Sequence, residues 1–442
     1  MRSFVAGPDW PFAPRRFPVF YGWIVFVVST LGILASIPGQ TMGMAVFTEP
    51  LMDALGLSRT QLSLAYMFGT IGSSMFLTRA GRLYDRVGGR ALIVASSLSL
   101  GVTLIYFAGL GTVVAHLPLE VRTGVAFALV FVGYFAVRFF GQGVLTSASR
   151  NILLAWFERR RGFVSGLRGV FVSLGFSLAP PILAALMAAF AWRGALWVLA
   201  ATCGLGFALL ALLLARDAPE PCGLRPDGEA PTKHGEATAP ISGASLAVAR
   251  RAPVFWLYSL GLALHAMFGT AVTFHVVSIF AEVGRDAGQA LGFFLPMALV
   301  STTTTMAASW ASDRTPLRPW LLAMLTSFLV ACWGLFTLAS ESGYWLLVLG
   351  QGFGGGLWGM ISNIAWVRLF GRASLGAISG QAMSLTVFFS AVGPAAFALS
   401  FDYGASFRPA ILVSALGFAV LLVLSAWLSR HPQEGAPPAL SP

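Results

Sequence analysis

Apolar stretches of roughly 20 residues recur along this chain, the length an α-helix needs to cross about 30 Å of hydrocarbon. They fall at residues 19–46, 60–79, 91–113, 123–150, 163–190 and 193–215, then at 253–281, 289–311, 318–339, 344–368, 375–402 and 408–429. A segment in lipid must satisfy its own backbone polar groups, which leaves helices or closed barrels. The runs are long and lack period-two alternation, so the pattern predicts helices. The expectation is an all-α membrane protein with twelve transmembrane helices in two six-helix bundles, 19–215 and 253–430. Residues 1–18 form an N-terminal segment, and residues 431–442 a Pro-rich tail. A polar linker, 216–252, separates the bundles. Its end, Ser245 to Arg251, reads as a short amphipathic turn before the seventh helix.

Composition agrees with the pattern. Of 442 residues, 57% are hydrophobic and 10% charged, against about 25% charged in soluble domains. The net charge of +11 is nearly all arginine, Lys233 being the one lysine. The arginines sit in short loops rather than on a soluble basic stripe, so nucleic acid is not an expected partner. With both termini cytoplasmic, the inner loops hold Arg79, Arg82, Arg86, Arg90, Arg150, Arg159, Arg160, Arg161, Arg314, Arg318, Arg368 and Arg372. The outer loops keep only Arg59, Arg122, Arg193, Arg285 and Arg408. That asymmetry follows the positive-inside rule and predicts a bacterial inner (plasma) membrane protein. The N-terminus reads as an uncleaved cytoplasmic start. Cys203, Cys222 and Cys332 have no disulfide or metal spacing, so neither metal nor cofactor is expected.

The chain also repeats itself. Pro18-Val19-Phe20-Tyr21 returns as Pro253-Val254-Phe255-Trp256, and Gly141-Gln142-Gly143 as Gly350-Gln351-Gly352. Ser165-Gly166 with Pro180 returns as Ser379-Gly380 with Pro394 at the same spacing. The shared order of these matches predicts two six-helix halves in parallel repeat.

Between the second and third stretches lies Gly81-Arg82-Leu83-Tyr84-Asp85-Arg86-Val87-Gly88-Gly89-Arg90. It resembles the signature loop of the major facilitator superfamily, G-x-L-x-D-R-x-G-x-R. The resemblance implies the major facilitator fold, rocker-switch alternating access, and a gating role for Gly81, Asp85, Arg86, Gly89 and Arg90. Asp85 is suited to accept hydrogen bonds from a neighbouring helix N-terminus. A reduced copy, Asp313-Arg314 with Arg318, occupies the matching loop of the second half. Tyr21-Gly22-Trp23, Gly43 to Phe47, Leu57-Ser58-Arg59-Thr60 and Leu64-Ala65-Tyr66 resemble the monocarboxylate porter and oxalate:formate antiporter group. That implies a small carboxylate moved by symport or antiport. Members of the group often carry a cation in the eighth helix, but 289–311 holds no Arg or Lys.

Ionisable groups deep in a span are costly and mark function. Arg138 lies halfway along the fourth stretch, with Gln142 one turn on, and is the expected anion contact. Arg168 lies nearer the cytoplasmic arginines. His265 is mid-span in the seventh stretch, with His275 further out, and is a candidate for proton or substrate contact. Gln40 follows a Pro38-Gly39 helix break, and Tyr66, Gln351, Asn363 and Gln381 are polar candidates for the cavity wall. No Asp or Glu lies mid-span; Glu49, Asp53, Glu282 and Asp402 fall towards the outside. Metal clusters, nucleophile–base pairs and phosphate loops are absent from the pattern, which speaks against an enzyme. The expected function is a monomeric secondary transporter of a small organic anion, with proton coupling left open. The abundant Phe and Trp keep a multidrug-type exporter of apolar compounds as the alternative.

Overall fold

The computed structural model describes residues 7–228 and 243–427. The start of the N-terminal segment, the middle of the linker with Lys233, and the tail expected at 431–442 lie outside the described residues. Each apolar stretch is helical. In the first half these are α1 (Gly22–Ala45), α2 (Arg59–Val87), α3 (Gly89–Ala115), α4 (Leu119–Trp156), α5 (161–190) and α6 (192–214). In the second they are α7 (Pro253–Glu282), α8 (Gly288–Ser312), α9 (Leu317–Phe336), α10 (Glu341–Phe370), α11 (Leu375–Gly404) and α12 (Arg408–Trp427). Among the described residues, ten segments are long and apolar enough to cross a membrane. The other two are α2, with its serines, threonines and arginines, and α10, with its run Gly352 to Gly356; both are helical for 29 and 30 residues.

Local chemistry sets the boundaries. Ser58 and Gln61 form a reciprocal capping box at the start of α2 (Gln61 N to Ser58 Oγ 3.2 Å, Ser58 N to Gln61 Oε1 2.9 Å). Gly88, at φ 90°, turns the chain from α2 into α3, a backbone region that glycine enters without steric cost. The helices α1, α4 and α6 are irregular at mid-length, α6 being π-helical over Ala200–Gly206. In α1, Ile37–Gly39 is a tight 3₁₀ turn around Pro38, which lacks an N–H. In α4, Arg138–Leu145 widens into a π-helical stretch. Such a bulge turns the following residues to a new face and is often found at functional sites.

Residue contacts divide the chain into two units. Of the described residues, the first comprises 7–159, 171–228 and 372–384; the second comprises 160–170, 243–371 and 385–427. Chain order alone would put 160–170 with the first half and 372–384 with the second. Close backbone packing places them otherwise. A Cβ on Gly81 would collide with the Gly376 carbonyl, and one on Gly380 would meet the Leu77 carbonyl. In the second unit, a Cβ on Gly162 would collide with the Ser309 carbonyl. Each exchanged segment is thus held by glycines that let backbones touch.

Within the first unit, the core gathers Val25, Phe107, Val130, Ile152 and Trp156, all fully buried. Within the second, Phe255, Phe268, Phe328, Met360 and Ile364 do the same. The expected amphipathic turn before α7 is a short helix, Leu246–Arg251, whose first amides are capped by Ser245 (Val248 N to Oγ 3.3 Å).

Candidate functional site

Arg138 opens the π-helical stretch of α4 and is only 3% exposed. Its Nη1 donates to the Gly39 carbonyl at 3.0 Å and to Thr41 Oγ1 at 3.4 Å. That carbonyl is available because the break in α1 releases it from the helical ladder. The guanidinium lies 5.2 Å from the Tyr66 ring centroid, close enough for a cation–π contact. Tyr66 donates its hydroxyl to Thr41 Oγ1 at 2.8 Å, and its ring meets Tyr134 edge-on at 5.2 Å. Arg138 Nε is buried without a hydrogen-bond partner, and no described carboxylate pairs with the group. A carbonyl, a hydroxyl and a ring face only partly offset the cost of burying this charge. The arrangement is suited to receive an anion.

Other expected residues join this cluster. Gln40 Nε2 donates to Ser36 Oγ at 3.0 Å and Thr146 Oγ1 at 3.3 Å. Gln142 is half-buried in the same π turn, and its backbone nitrogen packs against Gly39. The structure therefore gathers Gln40, Tyr66, Arg138 and Gln142 around the breaks in α1 and α4.

The expected residues of the second unit are not gathered in the same way. The His265 ring stacks on Phe328 at 4.1 Å and lies 5.5 Å from Trp358, while its Nδ1 is buried without a partner. Gln351 is 6% exposed, and its Oε1 has no donor. Asn363 Oδ1 accepts from Arg168 Nη2 at 2.7 Å, tying the first turns of α5 to α10. His275 bonds the Pro394 carbonyl at 2.9 Å, a packing contact where the proline interrupts α11. Gln381 is half-buried on the α11 segment held by the first unit.

Two carboxylates cap helix starts in parallel fashion. Asp85 accepts from Gly376 N and Ala377 N, both at 2.8 Å, at the head of α11. Asp313 accepts from Gly162 N at 2.6 Å and Phe163 N at 2.9 Å, at the head of α5. In each case an anion meets orphan amides and the positive end of a helix dipole. Arg86 is exposed, and Arg314 lies over the Trp310 ring at 4.5 Å. Gly89 packs on the Tyr84 ring. Arg90 is turned to a different task. Its guanidinium donates to the Trp10 and Leu212 carbonyls, and its backbone N to Asp217 Oδ1 at 2.7 Å.

Several polar contacts had no signal in the sequence. Asn151 Nδ2 donates to Ser379 Oγ at 2.8 Å, and Ser384 Oγ to the Ser74 carbonyl at 2.6 Å, both holding residues 372–384 within the first unit. Arg216 is 1% exposed, with Nε on the Pro8 carbonyl at 2.9 Å. Short serine and asparagine side chains occur throughout the spans, so only tertiary proximity singles these out.

The model of the family described as Major Facilitator Superfamily matches residues 28–398. A probable sulfoacetate transporter, SauU, of Cupriavidus necator (strain H16) is 24% identical over 180 residues. That match spans 40% of this chain and 38% of the relative's length. A variant of the E. coli fucose:proton symporter FucP superposes with a TM-score of 0.62 at 16% identity, covering 92% of this chain and 98% of that one. The human organic anion transporter MFSD10 superposes with a TM-score of 0.61 at 16% identity, covering 91% and 99%. At these identities the two solved structures speak for the fold alone.

Proposed function

The chain belongs to the Major Facilitator Superfamily and is an integral membrane transporter rather than an enzyme; from that premise we propose that it carries a small organic anion by alternating access. The observation that carries the reading is Arg138, a buried guanidinium at the middle of α4 with no carboxylate partner among the described residues. A carboxylate or sulfonate would complete its coordination with charge-assisted hydrogen bonds. Thr41, Tyr66 and Gln40 stand around it as neutral contacts for the remainder of a small substrate. The sulfoacetate named for the relative has both a carboxylate and a sulfonate, which supports screening the two head groups together. In this reading both termini face the cytoplasm of a bacterial inner membrane, and the protein acts as a monomer. His265, with its ring stacked on Phe328, is kept in this reading as the candidate proton or substrate contact of the second unit.

The test is a thermal-shift and proteoliposome screen of mono- and dicarboxylates and short sulfonates. A bound ligand raises apparent stability. A ligand that raises the melting temperature of the parent is expected to fail with Arg138→Gln, with uptake reduced at least ~30-fold, as for truncation of one partner of a buried charge pair. Arg138→Lys keeps the charge but loses the fork geometry and should fall between the two. Anion uptake at the parental rate by Arg138→Gln would remove Arg138 from the substrate site.

A further inference from the structure

We propose that the linker after α6 is a working part of the gate, with Glu220 holding the first turns of α11 through Arg372. The inference rests on the alternating-access reading above. It starts from how firmly residues 216–228 are docked on the first unit. Asp217 Oδ1 accepts from Arg90 N at 2.7 Å, at the head of α3. Asp227 Oδ2 accepts from Glu158 N at 2.9 Å and Arg159 N at 2.8 Å, in the turn after α4. Trp156 Nε1 donates to the Arg216 carbonyl at 2.8 Å, and Cys222 is 3% exposed. This stretch is a strap with anchors of its own.

Glu220 projects from that strap in the 3₁₀ turn Glu220–Cys222. Its carboxylate meets Arg372 in a two-bond fork, Nη1 to Oε1 at 2.7 Å and Nη2 to Oε2 at 3.2 Å. The two side chains are 15% and 18% exposed. A bidentate, partly shielded pair keeps a defined geometry where a rim pair would not. Arg372 begins the 372–384 segment that packs in the first unit.

The far end of the linker grips the residues just before it. Gly243 pairs with Gly371 in an antiparallel bridge, and Ala244 N donates to the Phe370 carbonyl at 2.7 Å, both within the second unit. Gly371 has φ 76° and ψ −166°, a conformation reserved for glycine. Three successive residues, Phe370 to Arg372, are therefore held by the two ends of one linker, with a glycine pivot between the grips. Detaching residues 372–384 from the first unit must break the Glu220–Arg372 fork and turn the chain at Gly371. Because Asp217, Asp227 and Trp156 hold the strap independently, losing Glu220 removes one grip on the head of α11, leaving those of Asp85 and Asn151, and does not release the strap.

Charge reversal tests this. Ser147 lines a narrow cleft, with room for about 10 Å³, together with Gly81, Asn151, Gly376 and Gly380. A cysteine placed there, in a chain whose native cysteines are serines, reports release of the α11 segment to a maleimide. E220R and R372E are each expected to raise its modification rate roughly 5-fold, the scale of one lost ion pair. The double variant E220R/R372E should return it to within about twofold of the parent. In a second chain keeping only Cys222, that thiol should stay unreactive in every variant. Unchanged rates in both single variants, no restoration in a monodisperse double variant, or a reactive Cys222 would each overturn the proposal. The readout needs no substrate, so it stands or falls separately from the anion assignment.

Discussion

Asp85 and Arg138 show how differently a single charge can be handled in one bundle. The Arg138 charge has too few partners. The Asp85 carboxylate, in the last turn of α2 and beyond its apolar stretch, has two amide donors, yet its pKa is pushed up to about 6. Burial is the larger cause, and the Gly376 and Ala377 amides pull the other way. Asp313 is raised in the same sense, by burial, against the Phe163 and Gly162 amides, Arg368 and Arg314. The sign matters. A carboxyl whose folded pKa lies above its ordinary value holds its proton more tightly in the folded state. Its contribution to stability is then present at low pH and is lost as pH rises through about 6. The melting temperature of the parent minus that of Asp85→Asn should therefore shrink between pH 5 and pH 7.5. Thermal unfolding followed by tryptophan fluorescence checks it, and a difference that grows with pH would reject the assignment. The position of Arg138 could be counted off along the fourth apolar stretch. Its partners could not, because Gly39, Thr41 and Tyr66 are remote in sequence and are brought to it by packing.

Among the helices, the breaks in α1 and α4 carry the site. Pro38-Gly39 was readable as an interruption. The π-helical turn of α4 was not, since Gly141-Gln142-Gly143 fits a regular helix equally well. It packs closely against the break in α1. A Cβ on Gly39 would lie 2.6 Å from the Val137 carbonyl and 2.7 Å from Gly141 Cα, so the two breaks fit together only through paired glycines. Gly39→Ala must push α1 from α4 and carry the Gly39 carbonyl away from Arg138. The expected cost is about 1–3 kcal/mol of stability, as for overpacking elsewhere, together with weaker anion binding. Denaturation and ligand titration of the same sample measure both. A variant as stable as the parent would mean that the glycine contact does not hold the break.

At the scale of the whole molecule, the parallel repeat reaches function. Asp85 holds the head of α11 and Asp313 holds the head of α5, although the Asp313 loop keeps little of the signature around it. The two clasps share no partner, so the stability changes of Asp85→Asn and Asp313→Asn should add within about 0.5 kcal/mol in the double variant. Chemical denaturation of the four proteins decides it, and strong non-additivity would mean that the clasps are mechanically coupled. The sequence by itself determined the number and places of the helices, because spans of lipid demand long apolar runs and leave charges at their ends. It also determined the two-fold repeat and the one guanidinium at the middle of a span. Only the tertiary structure decided that residues 160–170 and 372–384 pack in each other's units, that the linker's ends grip Phe370 to Arg372, and that Gly39 faces Arg138. Those are contacts between short, common residues far apart in the chain, and neither periodicity nor composition records which of them will meet.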